Sequence, residues 1–154
     1  MARSRTSTSE RQMSLAPFKQ RVIAVDADVV VRVAARAMRD HRVGALVVTR
    51  EGRPIGIVTD RDLIVRAIAG GCEVDEAPLS EFVTYDPITV HEGDGVATAV
   101  DRMQAHGVRR LPIVDDDGKV VGIVTADDLL AELGGQLGQL CDGIGNNSDA
   151  SDSR

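Results

Sequence analysis

From Val22 onward, short β-branched runs alternate with amphipathic stretches. Val22-Ile23-Ala24-Val25 predicts a strand, and Asp28 stands where it can cap a helix from Val29 to about Asp40, with Val30, Val33, Ala34, Ala37 and Met38 on one face. Gly44-Ala45-Leu46-Val47-Val48-Thr49 reads as a second strand. Arg50-Glu51-Gly52-Arg53 reads as a tight turn, and Pro54-Ile55-Gly56-Ile57-Val58 as the return strand of a hairpin. Pro54 has no amide hydrogen and suits a strand's first position. Asp60 to about Ala69 predicts a second helix, which Gly70-Gly71 stops.

The same pattern is then written again. A shift of 65 positions lays Ile23 on Ile88, Val25 on Val90, Ala34 on Ala99, Met38 on Met103, His41 on His106, Val43 on Val108 and Leu46 on Leu111. One extra residue in the turn Asp115-Asp116-Asp117-Gly118 raises the shift to 66. Gly56-Ile57-Val58-Thr59-Asp60-Arg61-Asp62-Leu63 then matches Gly122-Ile123-Val124-Thr125-Ala126-Asp127-Asp128-Leu129. A hairpin tip is where such an insertion is tolerated. The second unit is therefore strand 87–90, helix 95–106, hairpin 109–124 and helix 126–133. The fold class is α/β (α+β), built from two β-α-β-β-α units. The expected organisation is a flexible tail over 1–18 ending in a short helical turn, a first motif over 19–72, and a linker over 73–83. That linker carries a short helix with Pro78 at its first position. A second motif over 84–133 and a flexible Gly- and Ser-rich tail over 134–154 complete the chain.

Charge and composition narrow the function. Twenty-four acidic against eighteen basic residues give a net charge of −6, which argues against a grip on a nucleic-acid backbone. With only Phe18, Phe82 and Tyr85 as aromatic residues, a base-stacking platform would be poorly supplied. No apolar run approaches a membrane span and the opening residues lack a secretion signal, so the expected location is the cytoplasm. Cys72 and Cys141 have no metal-ligand or disulfide spacing and read as plain thiols. His41 and His106 close the two first helices, where a histidine complements the dipole. Asp115-Asp116-Asp117-Gly118 lacks the ligand spacing of a calcium loop and reads as a turn. No nucleophile-base pair or paired-carboxylate arrangement is present, so no catalytic residues, metal site or required cofactor are assigned.

The candidate chemistry sits at the two strand-to-helix junctions. A carboxylate at Asp62 or Asp128 can accept hydrogen bonds from two neighbouring ribose hydroxyls, Thr59 or Thr125 adds a hydroxyl, and the adjacent helix start favours a phosphate. The same Thr-x-x-Asp spacing also makes a capping pair, worth about 1 kcal/mol with no ligand at all. Both uses are compatible. Arg109-Arg110 stand where the first unit has Gly44-Ala45, and Arg61 aligns with Asp127. Arg42 and Arg61 would then serve a first cleft, and Arg109 and Arg110 a second, favoured one. Solvated surface arginines would give the same sequence.

A doubled β-α-β-β-α unit with G-h-h-T-x-x-D at its last junction, over roughly residues 19 to 133, resembles a pair of CBS motifs, the arrangement called a Bateman module. It is similar in particular to small stand-alone CBS-pair proteins of the bacterial stress and hypoxic-response kind. The resemblance implies one pseudo-twofold module with two clefts and a non-catalytic sensing role. It also implies an adenosyl ligand such as AMP, ADP, ATP or S-adenosylmethionine, and a homodimeric four-motif disk. On that analogy Ile23 and Ile88 would flank the base, and Pro112 joins Thr59, Asp62, Arg61, Thr125, Asp128, Arg109 and Arg110 among the ligand-binding residues. The alternative is a structural or protein-interaction disk whose clefts stay empty and whose stress role runs through an unknown protein partner.

Overall fold

The computed structural model describes residues 13–148, of which 140 and 143–148 as backbone alone. The first motif is strand β1 (Ala24–Asp26), helix α1 (Val31–His41), and the hairpin β2 (Ala45–Arg50) and β3 (Arg53–Thr59). Helix α2 follows, opening at Asp60–Asp62 and continuing as a π-helical stretch, Leu63–Ile68. A 3-10 turn, Leu79–Glu81, leads into β4 (Thr84–Tyr85). The second motif is β5 (Val90–His91), α3 (Val96–His106), β6 (Arg110–Val114), β7 (Val120–Thr125) and α4 (Ala126–Ser148). β1 runs parallel to β2, and β5 to β6, while each hairpin is antiparallel. The mixed α/β class and the duplicated order follow the sequence pattern.

Each motif folds around its own apolar cluster. Leu46, Val48 and Val58 of the first sheet meet Ala34 and Met38 of α1 and Leu63 and Ala67 of α2. Leu111, Ile113 and Val124 meet Ala99 and Met103 of α3 and Leu129 of α4 in the second. Alternation along a strand sends neighbouring side chains to opposite faces, so Val47 and Pro112 point away from these clusters. Both are nonetheless fully buried.

The motifs exchange their leading segments. β4, which precedes the second motif, pairs with β3 of the first. Gln20, which precedes the first motif, pairs with Ile123 of β7 through amide-carbonyl bonds of 2.9 and 3.2 Å. Apolar residues of each segment enter the core they cross to: Leu79, Phe82 and Val83 the first cluster, Leu15 and Phe18 the second. Residues 13–18 therefore differ from the flexible tail expected there. Leu15 is 1% and Phe18 3% exposed, and the amide of Val96 donates to the carbonyl of Met13 at 2.8 Å. The short turn expected near the end of that tail is Ala16–Phe18. The remainder of the two tails, 1–12 and 149–154, lies outside the described residues.

This exchange explains the repeated glycines. A Cβ on Gly56 would lie 2.1 Å from Val83 Cγ1 and 2.8 Å from the carbonyl oxygen of Thr84. One on Gly122 would lie 2.6 Å from Lys19 Cγ. Lys19 and Thr84 are themselves related by the 65-residue shift. Each glycine is the bare patch of sheet over which the other motif's lead-in chain passes.

Three local expectations change. α1 is not capped by Asp28: its N-cap is Val30, with no side-chain cap bond, and the carboxylate of Asp26 accepts from the amide of Asp28 instead. The amides at the helix start donate to the linker, Val31 to the carbonyl of Ala77 and Arg32 to that of Val74. The linker, which also bonds the chain between β1 and α1 at Ala27 and Val29, supplies the acceptors that a capping side chain would have supplied. Arg32 reinforces the contact through an ion pair with Asp75, and that hydrogen bond holds the carboxyl of Asp75 below the usual carboxylate range. Secondly, Val33 is exposed and Val31 takes its place on the buried face. Thirdly, α4 does not stop near Leu133. It runs on through Gly134, Gly135 and Gly138, because apolar Leu130, Leu133 and Leu137 recur at helical spacing and no proline interrupts.

Candidate functional site

At both junctions a β-branched strand ends in a threonine at the start of a helix. At the first, Thr59 is a complete N-cap. Its Oγ1 accepts from the amide of Asp62 at 3.1 Å, and Asp62 Oδ2 accepts from both the amide (2.8 Å) and the hydroxyl (2.7 Å) of Thr59. Arg66 Nη1 stands 4.0 Å from the other carboxylate oxygen. This is the capping-box use of the motif, and it engages the acid on its own backbone.

The second junction is more open. Thr125 Oγ1 again accepts from the amide of Asp128 at 3.1 Å and donates to Asp128 Oδ2 at 2.6 Å. Among the described residues Asp128 Oδ1 has no hydrogen-bond partner, and no bond returns from Asp128 to the amide of Thr125. Of the first amides of α4, that of Ala126 donates to the carbonyl of Arg109 at 2.9 Å and that of Asp128 to Thr125, and the positive end of the helix dipole lies at this junction.

That space is a cleft of about 510 Å³. One wall is the second motif, with Arg110, Ile123, Thr125, Asp127 and Asp128; the other is the first, with Gln20, Arg21, Val22 and Ile23 ahead of β1 and His41 to Ala45 between α1 and β2. The volume falls in the range of small-molecule sites. The strand exchange creates this mixture, because the pairing of Gln20 with Ile123 lays the chain before β1 alongside the end of β7.

Of the residues singled out from sequence, Ile23, Arg110, Thr125 and Asp128 line one cleft together. Thr59, Asp62, Arg61, Ile88, Arg109 and Pro112 lie outside it. The expected partition, with Arg42 beside the first junction, is corrected: Arg42 shares its cleft with Asp128. A sequence repeat suggests one cleft per motif, whereas the exchanged strands mix them. Arg109 stands outside the cleft lining, and its Nη2 bonds Asp127 Oδ1 at 2.5 Å in an exposed pair. The pair engages the carboxylate that distinguishes this junction from the first. Pro112 is fully buried; its counterpart at the 65-residue shift, Val47, does line the cleft.

Sequence reasoning missed Arg21 and gave His41 a purely local role; both border the cleft. Arg42 also carries a backbone signal. It is the C-cap of α1 with φ 55° and ψ 44°, the left-handed region, where the second motif has Gly107 at φ 63°. A residue with a Cβ costs roughly 1–2 kcal/mol there relative to the right-handed form, and glycine escapes that cost.

The other assignments are local. Asp115 Oδ1 accepts from the amides of Asp117 (3.0 Å) and Lys119 (2.8 Å), so the acidic run is a turn held by its own first carboxylate. Cys72 and Cys141 are free. Among the described residues no group of three His, Cys, Asp or Glu is placed to hold a metal ion, and no helix is long and apolar enough to cross a membrane.

Fold and cleft together define a tandem-motif α/β module with a ligand-sized cavity between its repeats. The comparisons give its family. A model of the CBS domain matches residues 18–68 and 79–135, and the chain belongs to the CBS-domain family. A protein of Methanopyrus kandleri is 44% identical over 97 residues, 62% of this chain; the chain spans only half of that relative's length. Hypoxic response protein 1 of Mycobacterium tuberculosis is 32% identical over 101 residues, 65% of this chain and 70% of that protein. Among solved structures, a CBS domain protein from Pyrobaculum aerophilum complexed with AMP superposes with a TM-score of 0.68 at 29% identity, covering 76% of this chain and 90% of that one. The CBS domain pair of protein MJ0100, in complex with 5′-methylthioadenosine and S-adenosyl-L-methionine, gives 0.70 at 28% identity, covering 81% and 98%.

Proposed function

We propose that this chain is a non-catalytic sensor that binds one adenosyl ligand in the cleft between its motifs. The observation that carries the reading is the meeting of Ile23, Arg110, Thr125 and Asp128 in a single 510 Å³ cavity. The free oxygen of Asp128 would accept from the ribose, Thr125 and the start of α4 would face the sugar-phosphate, and the apolar Val22-Ile23 segment would lie against the base. The AMP and S-adenosyl complexes of the P. aerophilum and MJ0100 proteins support an adenosyl compound as the ligand class. Because the walls come from both motifs, an occupant would tie them together and stabilise the fold by about 2.7 kcal/mol at a hundredfold excess over Kd.

The signal would leave through the helices. Ile64, Val65 and Ile68 on the first motif, and Leu130, Leu133 and Leu137 on the second, are exposed apolar residues at helical spacing. Such faces support a homodimeric disk in which ligand occupancy alters the contact with a partner protein. They also favour the second reading, a disk that works through protein contacts with its clefts empty.

A melt series with AMP, ADP, ATP, NAD and S-adenosylmethionine on the whole chain separates the two. Sensing predicts a raised midpoint with at least one compound, abolished by Asp128→Ala and retained in Asp62→Ala. No shift with any of them leaves the empty disk, and light scattering reports the dimer in either case.

A further inference from the structure

The adenosyl reading leaves open whether the ligand carries phosphate or a sulfonium, and the charges around the cavity bear on that choice. Arg21, Arg42 and Arg110 all line the cleft, and among the described residues none of the three has an ion-pair partner. Against them stand Asp127, in an exposed pair with Arg109, and Asp128, whose Oδ2 accepts from Thr125. Three arginines thus line the cleft against two aspartates, so the lining itself carries a net positive charge, and the carboxylate of Asp60 lies beside Gly44 on the first-motif wall. In a chain whose net charge is −6, this is a local reversal of sign.

Arg42 is set apart by its backbone. The left-handed position it occupies is filled by Gly107 in the other motif, and only the Arg42 copy opens on the described cavity. Residues held in unfavourable backbone regions gather at functional sites, where the surroundings over-determine them. A guanidinium at the end of α1 is also the group that the helix's negative end would hold near the cavity mouth.

We propose that this cleft selects an anionic adenine nucleotide over S-adenosylmethionine and over unphosphorylated adenosine, with Arg42 as the specificity-determining residue and Arg21 and Arg110 as further phosphate ligands. The inference rests on the adenosyl reading above. Phosphate presents several acceptor oxygens to guanidinium donors, whereas the sulfonium of S-adenosylmethionine would bring a cation into a positive cleft.

Calorimetric titration of the whole chain with AMP, ADP, ATP, adenosine and S-adenosylmethionine tests it. Nucleotides are expected to bind more tightly than adenosine, and adenosine more tightly than S-adenosylmethionine, with only the nucleotide affinity falling as salt rises. Arg42→Gly is expected to lower nucleotide affinity about ten- to hundredfold, the loss of one charge-assisted hydrogen-bonding group, and to leave adenosine unchanged. Its melting midpoint without ligand should hold or rise, since glycine suits the backbone there; Arg110→Gln gives a second variant with the same expected selectivity. S-adenosylmethionine binding as tightly as AMP, or Arg42→Gly reducing adenosine and nucleotides alike, overturns the selection while leaving the adenosyl cleft intact. Failure of all five compounds to bind overturns the cleft reading and the selection with it.

Discussion

The two junctions share their strand, their threonine and their aspartate, yet Asp62 closes a full capping box while Asp128 bonds only the hydroxyl of its threonine. Asp62 receives two donors from Thr59 through a single oxygen and has Arg66 near the other. Asp128 receives the threonine hydroxyl only, and lines a cavity together with Arg21, Arg42 and Arg110. A duplicated motif therefore does not commit its copies to one task. The residues around it decide whether the acid closes a capping box or leaves an oxygen unbonded at a cleft.

The largest effect tests the exchange that makes the copies interdependent. Phe18→Ala should cost about 3 kcal/mol in chemical denaturation, because it empties a buried aromatic site in the second core. A change below about 1 kcal/mol would mean that the leading segment is dispensable to that core. Next come the crossing glycines. Gly56→Ala should cost roughly 2 kcal/mol, since the new methyl meets Val83 and the backbone of Thr84; Gly122→Ala should cost about half as much, because the Lys19 side chain can swing aside. Equal costs would show that the two crossings are alike.

The acids themselves follow. Asp62→Ala should lower stability by about 1 kcal/mol through loss of the capping box and leave nucleotide affinity unchanged. Asp128→Ala should do the reverse, with a smaller stability loss and a large affinity loss in titration. If both variants lose affinity equally, the contrast between the junctions is gone. The smallest effect concerns the linker on the first motif. Asp75, its carboxyl held low by the hydrogen bond from Arg32, contributes stability that is present above the ordinary carboxylate range and lost as pH falls through its lowered value. Asp75→Asn should therefore flatten the acid limb of a stability profile below about pH 4. An unchanged limb would remove the ion pair from the linker's account.

Much of this was readable along the chain. The shift of 65 positions, with its single insertion at a turn, specified two units, their strands and helices and the junction acids, because hydrophobic period and turn chemistry are local properties. Had the repeat been followed upstream, Phe18 would have fallen on Val83, apolar on apolar, which was the available signal that the first tail is ordered. Asp28 failed as a cap, and α4 outran its glycines, because propensity and capping rules do not see a linker that supplies carbonyls or a stripe of leucines that continues.

What the amino-acid order fixed was the set of parts: paired α/β units, alternating apolar faces, and an acid and a hydroxyl three residues apart. Which parts face each other was decided only in three dimensions. The leading segments cross between sheets, so the segment bearing Ile23 ahead of β1 and the helix end bearing Arg42 border the junction of the other repeat. Sequence spacing carries no record of such a crossing, because the backbone bonds that hold Gln20 to Ile123 use groups every residue possesses.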